Sequence, residues 1–468
     1  MRLVVGATLA VENPTSEVMV WCSKNLRLAN PEYTRKIRMS LWVGNTPATL
    51  ALYEQHGNTL ILPFGLLRNL PECIIKNIRS VDKDFELAEP VDYGEPVPLY
   101  PYQEEAVKTV FDAQYGILQS AAGSGKTQMG IALVKQFGKR ALWLTHTLDL
   151  LKQSEERASR YMDKHLIGRI TAGKVKIGEG ITFATVQTMC RLDLSQYKHY
   201  WDVIIVDECH RCAGTPTAVS QFSKVLNSLA ARHKIGLTAT AHRSDGMIEA
   251  CYALLGNVVH AVPEAAIADK IMKVGIHALG TGVQITNRCL NTDGTLNYSR
   301  LISYLCEHEE RNRYIGSWIA ANAEHPSLIL SDRLEHLEAL METLPPLMRE
   351  KAVMISGKMT TKKAKAEREQ AIADMRSGRK KYLFATYALA KEGLDIPCLE
   401  RLFLTTPQSD YAVITQSIGR IARTSEGKGR PVAYDFVDSI PHLYKCYKKR
   451  CTTYRKNGCF FIEEGESE

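Results

Sequence analysis

The sequence predicts an α/β protein: two parallel-sheet domains in tandem, preceded by a small β-rich domain. Three observations carry this. From about Leu99 to Val262, short apolar runs (GILQ, ALWLTH, ITFAT, WDVIIVDE, KIGLTAT) alternate with polar or helical stretches, the pattern of a doubly wound parallel sheet. A second alternating series (SLILSD, KAVMISG, KYLFATYA, RLFLTTP, PVAYDFVD) runs from about Pro263 to Asp438, with helical segments such as RLEHLEALMETL between. The first 95 or so residues differ, with β-like runs LVVGATLAV, EVMVWC and LILPF punctuated by Asn, Pro and Gly. The expected domains are 1–95, 96–262 and 263–445, followed by a basic then acidic C-terminal tail, 446–468. TGVQITNRCLNTDGTLN reads as a loop or hairpin turning at Asp293-Gly294.

Bulk properties narrow the function classes. The chain has 468 residues, 45% hydrophobic and 24% charged, enough for about three cored domains. A net charge of +8 favours polyanionic partners. The excess is clustered: ten Lys or Arg between Lys351 and Lys381, and six more (Lys445, Lys448, Lys449, Arg450, Arg455, Lys456) before the acidic end EEGESE. Each cluster is equally readable as a solvated helix face. No run of 18 apolar residues exists, and MRLVVGATLAVEN reads as a first strand rather than a signal peptide, so the expectation is a cytoplasmic protein without a membrane partner. The 12 scattered cysteines, including the lone CxxC of Cys209 and Cys212, read as reduced thiols.

SAAGSGKTQMG, Ser120 to Gly130, lies between a buried strand and a helix. Backbone N–H groups of Ala122, Gly123, Ser124 and Gly125 in such a turn point at phosphate oxygens, while Lys126 supplies a point charge and Thr127 a hydroxyl for Mg²⁺. Position 120 is Ser where the strict pattern has Gly. The loop alone leaves a kinase, a GTPase, a transporter ATPase and a motor open.

WDVIIVDECH narrows the choice. A buried strand ending in Asp207 and Glu208 places one carboxylate to hold Mg²⁺ and the next beside an attacking water as general base. Further on, Gln416, Arg420 and Arg423 stand in a QxxGRxxR spacing on an expected helix, where residues three apart share a face and can reach a γ-phosphate held by a neighbouring domain. The bland readings are a solvated acidic loop and a surface ion pair.

In this order, AAGSGKT, DECH, TAT (Thr238 to Thr240), FATYALAKEGLDIP and QSIGRIAR resemble the motor core of superfamily 2 helicases and translocases, over about three quarters of the chain. The resemblance implies two RecA-like domains, ATP and Mg²⁺ as cofactors, and a cleft whose closure and reopening ratchet the lobes along a strand. LYPYQEEAV is similar to the adenine-reading motif, with Gln103 as reader and Tyr100 where many relatives have Arg. Thr145, Thr185 and Gln187 match strand-gripping positions of the first lobe. In the second lobe Thr386 would meet a phosphate, and Gly393 and Asp395 would approach the nucleotide. His210, Thr238 and Thr240 would couple hydrolysis to grip. GLTATAHRSDG resembles the form found in the XPB, RecG and type III restriction motor group.

An N-terminal accessory domain before a short DECH motor looks most like phage branch-migrating helicases of the UvsW type. Arg35, Lys36 and Arg38 beside Tyr33 and Trp42 form a basic, aromatic patch able to bind DNA or stack at a fork, although the domain is near neutral, ten basic residues against eleven acidic. The segment between the last two motifs is too short for a strand-splitting hairpin, which leaves the N-terminal domain as the candidate wedge. The expected function is an ATP-dependent helicase on forked or junction DNA, acting as a monomer with replication or recombination proteins as possible partners. The rivals are a restriction motor subunit, an RNA helicase and a nucleotide-gated DNA clamp.

Overall fold

The computed structural model describes residues 1–468 apart from 40, 87–88, 122, 172, 214, 240–246, 264–265, 267–271, 356–361, 392–393, 395 and 463–468. The chain forms two compact units, 1–121 with 125–266, and 267–468 with loop residues 122–124.

The first unit begins with a five-stranded sheet in the order Glu54–His56, Thr59–Pro63, Thr8–Glu12, Arg2–Val5, Ser80–Lys83. Alternation in TLAVE buries Leu9 and Val11 against Leu60 and Leu62. EVMVWC is not the expected strand but part of the helix Ser16–Asn25. Its valines and tryptophan favour extended chain locally. The Thr15 side chain nevertheless accepts from Val18 N, and Val18 and Cys22, four apart, share the buried face.

A ribbon of Arg27–Ala29 against Thr49–Ala51 leaves this sheet, and its Leu28, Leu50 and Leu52 pack on the core of the following domain. The ribbon carries the helix Pro31–Arg38, capped by Asn30, whose side chain accepts from Glu32 N and Tyr33 N. No residue of that helix is buried.

The eight-stranded sheet of the first unit runs Lys174–Lys176, Ile167–Thr171, Ile181–Thr185, Ala141–Thr145, Val203–Asp207, His233–Thr238, Gly116–Gln119, Val258–Ala261. All its described pairings are parallel except that of Lys174–Lys176. Ala141–Thr145, Ile181–Thr185 and Val203–Asp207 are buried at every position, as strands covered on both faces must be. The N-terminal sheet is keyed to this one. Gly65 lies so close to the end of helix Ile248–Leu255 that a Cβ there would fall 2.3 Å from Gly256 N. Lys234, fully buried, donates to Ala7 O and Leu226 O, both at 2.7 Å.

The second unit holds seven parallel strands in the order Ala352–Ile355, Tyr382–Thr386, Ser327–Ser331, Arg401–Leu404, Val432–Val437, Gly275–Gly280, Phe460–Phe461. Two departures from expectation appear. The units part at 266/267 rather than 262/263. The C-terminal segment is no tail up to Ile462: Pro441–Lys456 is a helix and Phe460–Phe461 closes the sheet edge. Buried Leu443, Arg450, Cys451 and Tyr454 fasten that helix down. Asp293 and Gly294 do form the turn expected of them, Gly294 at φ +76°.

Candidate nucleotide site and strand-contact residues

The phosphate loop follows Gly116–Gln119 and opens the helix Lys126–Phe137 at the carboxyl ends of the strands, where open parallel sheets bind ligands. Gly123 and Gly125 have φ +88° and +83°, the left-handed region that glycine enters freely. Gly125 is glycine for a second reason. A Cβ there would lie 2.4 Å from Gln103 Nε2.

Gln103, expected to read a base, is buried, and its Oε1 accepts from Tyr100 N at 3.0 Å. The same side chain thus caps its helix and backs the phosphate loop. Ser120, in place of the usual glycine, is buried and its N–H bonds Thr238 O, tying the loop to the neighbouring strand end. Lys126 is buried, with Nζ donating to Ser120 O and Ala121 O at 3.1 and 3.3 Å. Thr127 is half-buried on the first helical turn, Gly123 is exposed and Ser124 buried. Ala122, Thr240, Gly393 and Asp395 lie outside the described residues.

Val203–Asp207 delivers the acids. Asp207 Oδ2 accepts from Ser154 Oγ at 3.1 Å and Oδ1 from Glu208 N at 3.0 Å. Glu208 has φ +49°, a conformation that costs a non-glycine residue on the order of 1 kcal/mol and that collects at functional sites. Its Oε2 is buried without a hydrogen bond among the described residues, and His210 Nδ1 lies 3.3 Å from it. That same ring nitrogen lies 3.0 Å from Thr238 Oγ1. Contacts thus run from Glu208 through His210 to Thr238, the latter two being the residues expected to couple hydrolysis to grip.

Burial pushes the Asp207 carboxyl up to about 6, the Glu208 charge adding to the rise and Lys126 and Ser154 opposing it. Burial acts on Glu208 in the same direction, but Lys126 and His210 overcome it and hold that carboxyl at about 2. Glu208 is the firmly ionised member, as a proton acceptor at neutral pH must be.

The strand-gripping positions divide. Thr145 is fully buried and its Oγ1 donates to Thr147 O at 2.9 Å, so its side chain shapes the turn. Thr185 is nearly buried and shares a hydrogen bond with Thr188 Oγ1. Gln187 is half-buried, its Nε2 3.3 Å from His146 Nδ1. Of the N-terminal cations, Arg35 and Arg38 are exposed, whereas Lys36 is held by Glu32 at 3.2 Å and Thr46 Oγ1 at 2.6 Å. Beside them Ile37, Met39, Leu41 and Trp42 are all exposed, Trp42 at 87%.

In the second unit Thr386 ends the strand Tyr382–Thr386, half-buried. Gln416 is buried with an Oε1 that has no partner among the described residues. Arg420 stands in the last turn of helix Tyr411–Ile421 and donates to Leu394 O at 2.9 Å. Arg423 is not on that helix, because the chain leaves it at the cap residue Ala422; the shared-face argument holds for Arg420 alone.

Two residues that carry no sequence signal brace expected site residues, one in each unit. Ser154 steadies Asp207. Lys428 staples the segment bearing Arg423, donating to Pro397 O, Ile421 O and Arg423 O at 3.1, 2.7 and 2.6 Å. Burial lowers its ammonium to about 8 against the pull of Glu400.

Comparisons with known proteins fit this geometry. Residues 96–243 match the family model "Type III restriction enzyme, res subunit", and residues 310–425 match "Helicase conserved C-terminal domain". The chain is 26% identical over 426 residues to a protein of Acanthamoeba polyphaga mimivirus named as an ATP-dependent RNA helicase, covering 88% of this chain and 77% of that one. It is 24% identical over 387 residues to the DNA 3'-5' translocase XPB2 of Sulfurisphaera tokodaii, covering 74% and 85%. The chain belongs to the superfamily 2 helicases.

The helicase also shares its fold with the ATP-dependent Type ISP restriction-modification enzyme LlaBIII bound to DNA, at TM-score 0.57 and 15% identity over 85% of this chain and 34% of that one. As an ATP-hydrolysing helicase it must hold a nucleotide, and the loop, Lys126 and the Asp207–Glu208 pair form a site of matching chemistry. Among the described residues no cluster of three or more His, Cys, Asp or Glu can hold a metal, and no helix is long and apolar enough to cross a membrane.

Proposed function

We propose that this helicase is an ATP-driven DNA motor that unwinds or branch-migrates forked or junction DNA, in the manner of the UvsW-type phage enzymes. The observation that carries the reading is Glu208: ionised, strained, under-bonded, and linked through His210 to Thr238. A protein that only clamps DNA has no use for such a group.

ATP with Mg²⁺ supplies the phosphoanhydride and the charge that draws its oxygens together. Gly123, Ser124, Gly125 and Lys126 would hold the phosphates, with Thr127 and Asp207 on the Mg²⁺. Glu208 would orient the attacking water and accept its proton. Gln416, Arg420 and Arg423 would complete the site from the second unit. Arginines supplied in this way are worth roughly 10³ to 10⁵ in rate.

DNA is favoured by the restriction-type family model, by the DNA translocase among the relatives, and by the arm that carries Trp42. An apolar tip flanked by Arg35 and Arg38 suits insertion between bases at a fork. An RNA substrate is the second reading, favoured by the viral relative named as an RNA helicase. ATP-driven unwinding measured side by side on forked DNA, a four-way junction, blunt duplex and RNA duplex decides between them. Forked or junction DNA is expected to be opened fastest. RNA opened faster than any DNA overturns the assignment.

A further inference from the structure

The helix Pro441–Lys456 contains no acidic residue in PHLYKCYKKRCTTYRK. Its inner face is spent on structure. Arg450, buried, makes a two-pronged pair with Asp435 at 2.8 Å on both arms and donates to Gln408 O, and Tyr454 Oη adds a 2.7 Å bond to the same carboxylate. Asn457 Nδ2, at the helix end, donates to Thr415 Oγ1 of the helix that carries Gln416 and Arg420.

The outer face is different. Lys445, Lys448, Lys449, Arg455 and Lys456 are all exposed, and none meets a carboxylate among the described residues. Arg455 and Lys456 lie over the rings of Phe461 and Tyr411, and Lys448 over half-exposed Tyr444. Positions 445, 448, 449, 455 and 456 follow the three-and-four spacing of one helical face, so the charges form a row about 16 Å long. Isolated lysines scatter over a surface. Here five cations, none paired with a carboxylate among the described residues, stand in a row on a helix fastened from beneath, a fixed positive face.

We propose that this face is a second nucleic-acid contact, gripping a phosphate backbone through Lys445, Lys448 and Lys449, and that its rigid seat on the Gln416–Arg420 helix makes the contact move with the arginines. The proposal rests on the nucleic-acid motor reading above. A lipid surface is disfavoured because the apolar side chains of this helix face inward, and only Tyr444 is an exposed aromatic. Phosphates recur about every 3.4 Å of axis along one duplex strand, so a row of this length can meet several of them.

The test uses the full chain with the triple substitution Lys445→Gln, Lys448→Gln and Lys449→Gln, and fluorescence anisotropy on labelled forked DNA. Between about 50 and 200 mM salt, the unsubstituted protein is expected to lose about 40-fold more affinity than the variant, as three lost phosphate contacts require. ATPase without nucleic acid should be unchanged, and the triple Lys→Arg protein should follow the original curve. Superimposable curves for the Gln variant overturn the proposal. So do equal DNA curves joined to weaker poly-glutamate binding by the Gln variant, which assign the face to an acidic protein. A salt-independent curve for the unsubstituted protein overturns the nucleic-acid reading itself.

Discussion

The two parallel sheets treat carboxylates at their carboxyl ends in opposite ways. In the second unit Asp438 accepts from Arg311 Nε and Nη2 and from Thr281 Oγ1, and Asp435 from Arg450 twice and Tyr454 once. Their oxygens are saturated and their charges cancelled. In the first unit Asp207 has a hydroxyl and one backbone N–H, and Glu208 has a single imidazole at 3.3 Å and a backbone in the left-handed region. A buried carboxylate left short of donors costs stability, and a fold keeps one only where a ligand or reaction supplies what is missing. Saturation marks architecture and deficit marks chemistry.

Removing the deficient acid should stop turnover without loosening the fold. Glu208→Gln is expected to lower ATPase by about 10²- to 10⁴-fold while the thermal midpoint stays put or rises; a large drop in midpoint would make Glu208 structural. Removing a saturated acid should do the reverse. Asp438→Asn leaves Arg311 buried and uncompensated, a loss of about 3–5 kcal/mol in denaturant unfolding, with near-normal activity per folded molecule. Equal stability would erase the contrast.

Lys234 extends the comparison to a cation. It has two carbonyls and the Phe64 ring but no carboxylate among the described residues, and burial lowers its ammonium to about 7. Above 10.5 the group is neutral folded or unfolded. Between 10.5 and about 7 only the unfolded chain takes up the proton, so stability falls as pH falls, by on the order of 2–4 kcal/mol. Urea midpoints from pH 7 to 10 should rise with pH, and should rise less in Lys234→Met; parallel slopes would show that Lys234 does not titrate there. The smallest effect is expected from Ser154→Ala, a few-fold loss of ATPase from one hydrogen bond worth about 1 kcal/mol. An unchanged rate would mean that Asp207 is placed by its strand alone.

The phosphate loop and the acid pair were legible because phosphate chemistry needs its groups contiguous: glycines, Lys126 and Thr127 in one turn, Asp207 and Glu208 at one strand tip. Contacts distant in sequence left no local trace. Ser154 reaches Asp207 from 53 residues away, and Lys428 acts on three carbonyls rather than through any motif. Helix ends misled in both directions. The Thr15 cap turned EVMVWC from strand to helix, and the end of the helix at Ala422 put Arg423 beyond the face that spacing had given it. The Thr145 hydroxyl turns inward to the carbonyl two residues on, a choice that sequence does not record.

The central proposal is that arginines of the second unit finish a reaction prepared in the first. ATPase of Arg423→Ala in the presence of saturating forked DNA tests it most directly. Turnover is expected to fall by roughly 10³-fold or more, with DNA affinity and nucleotide binding retained. Turnover equal to that of the unsubstituted protein would contradict it.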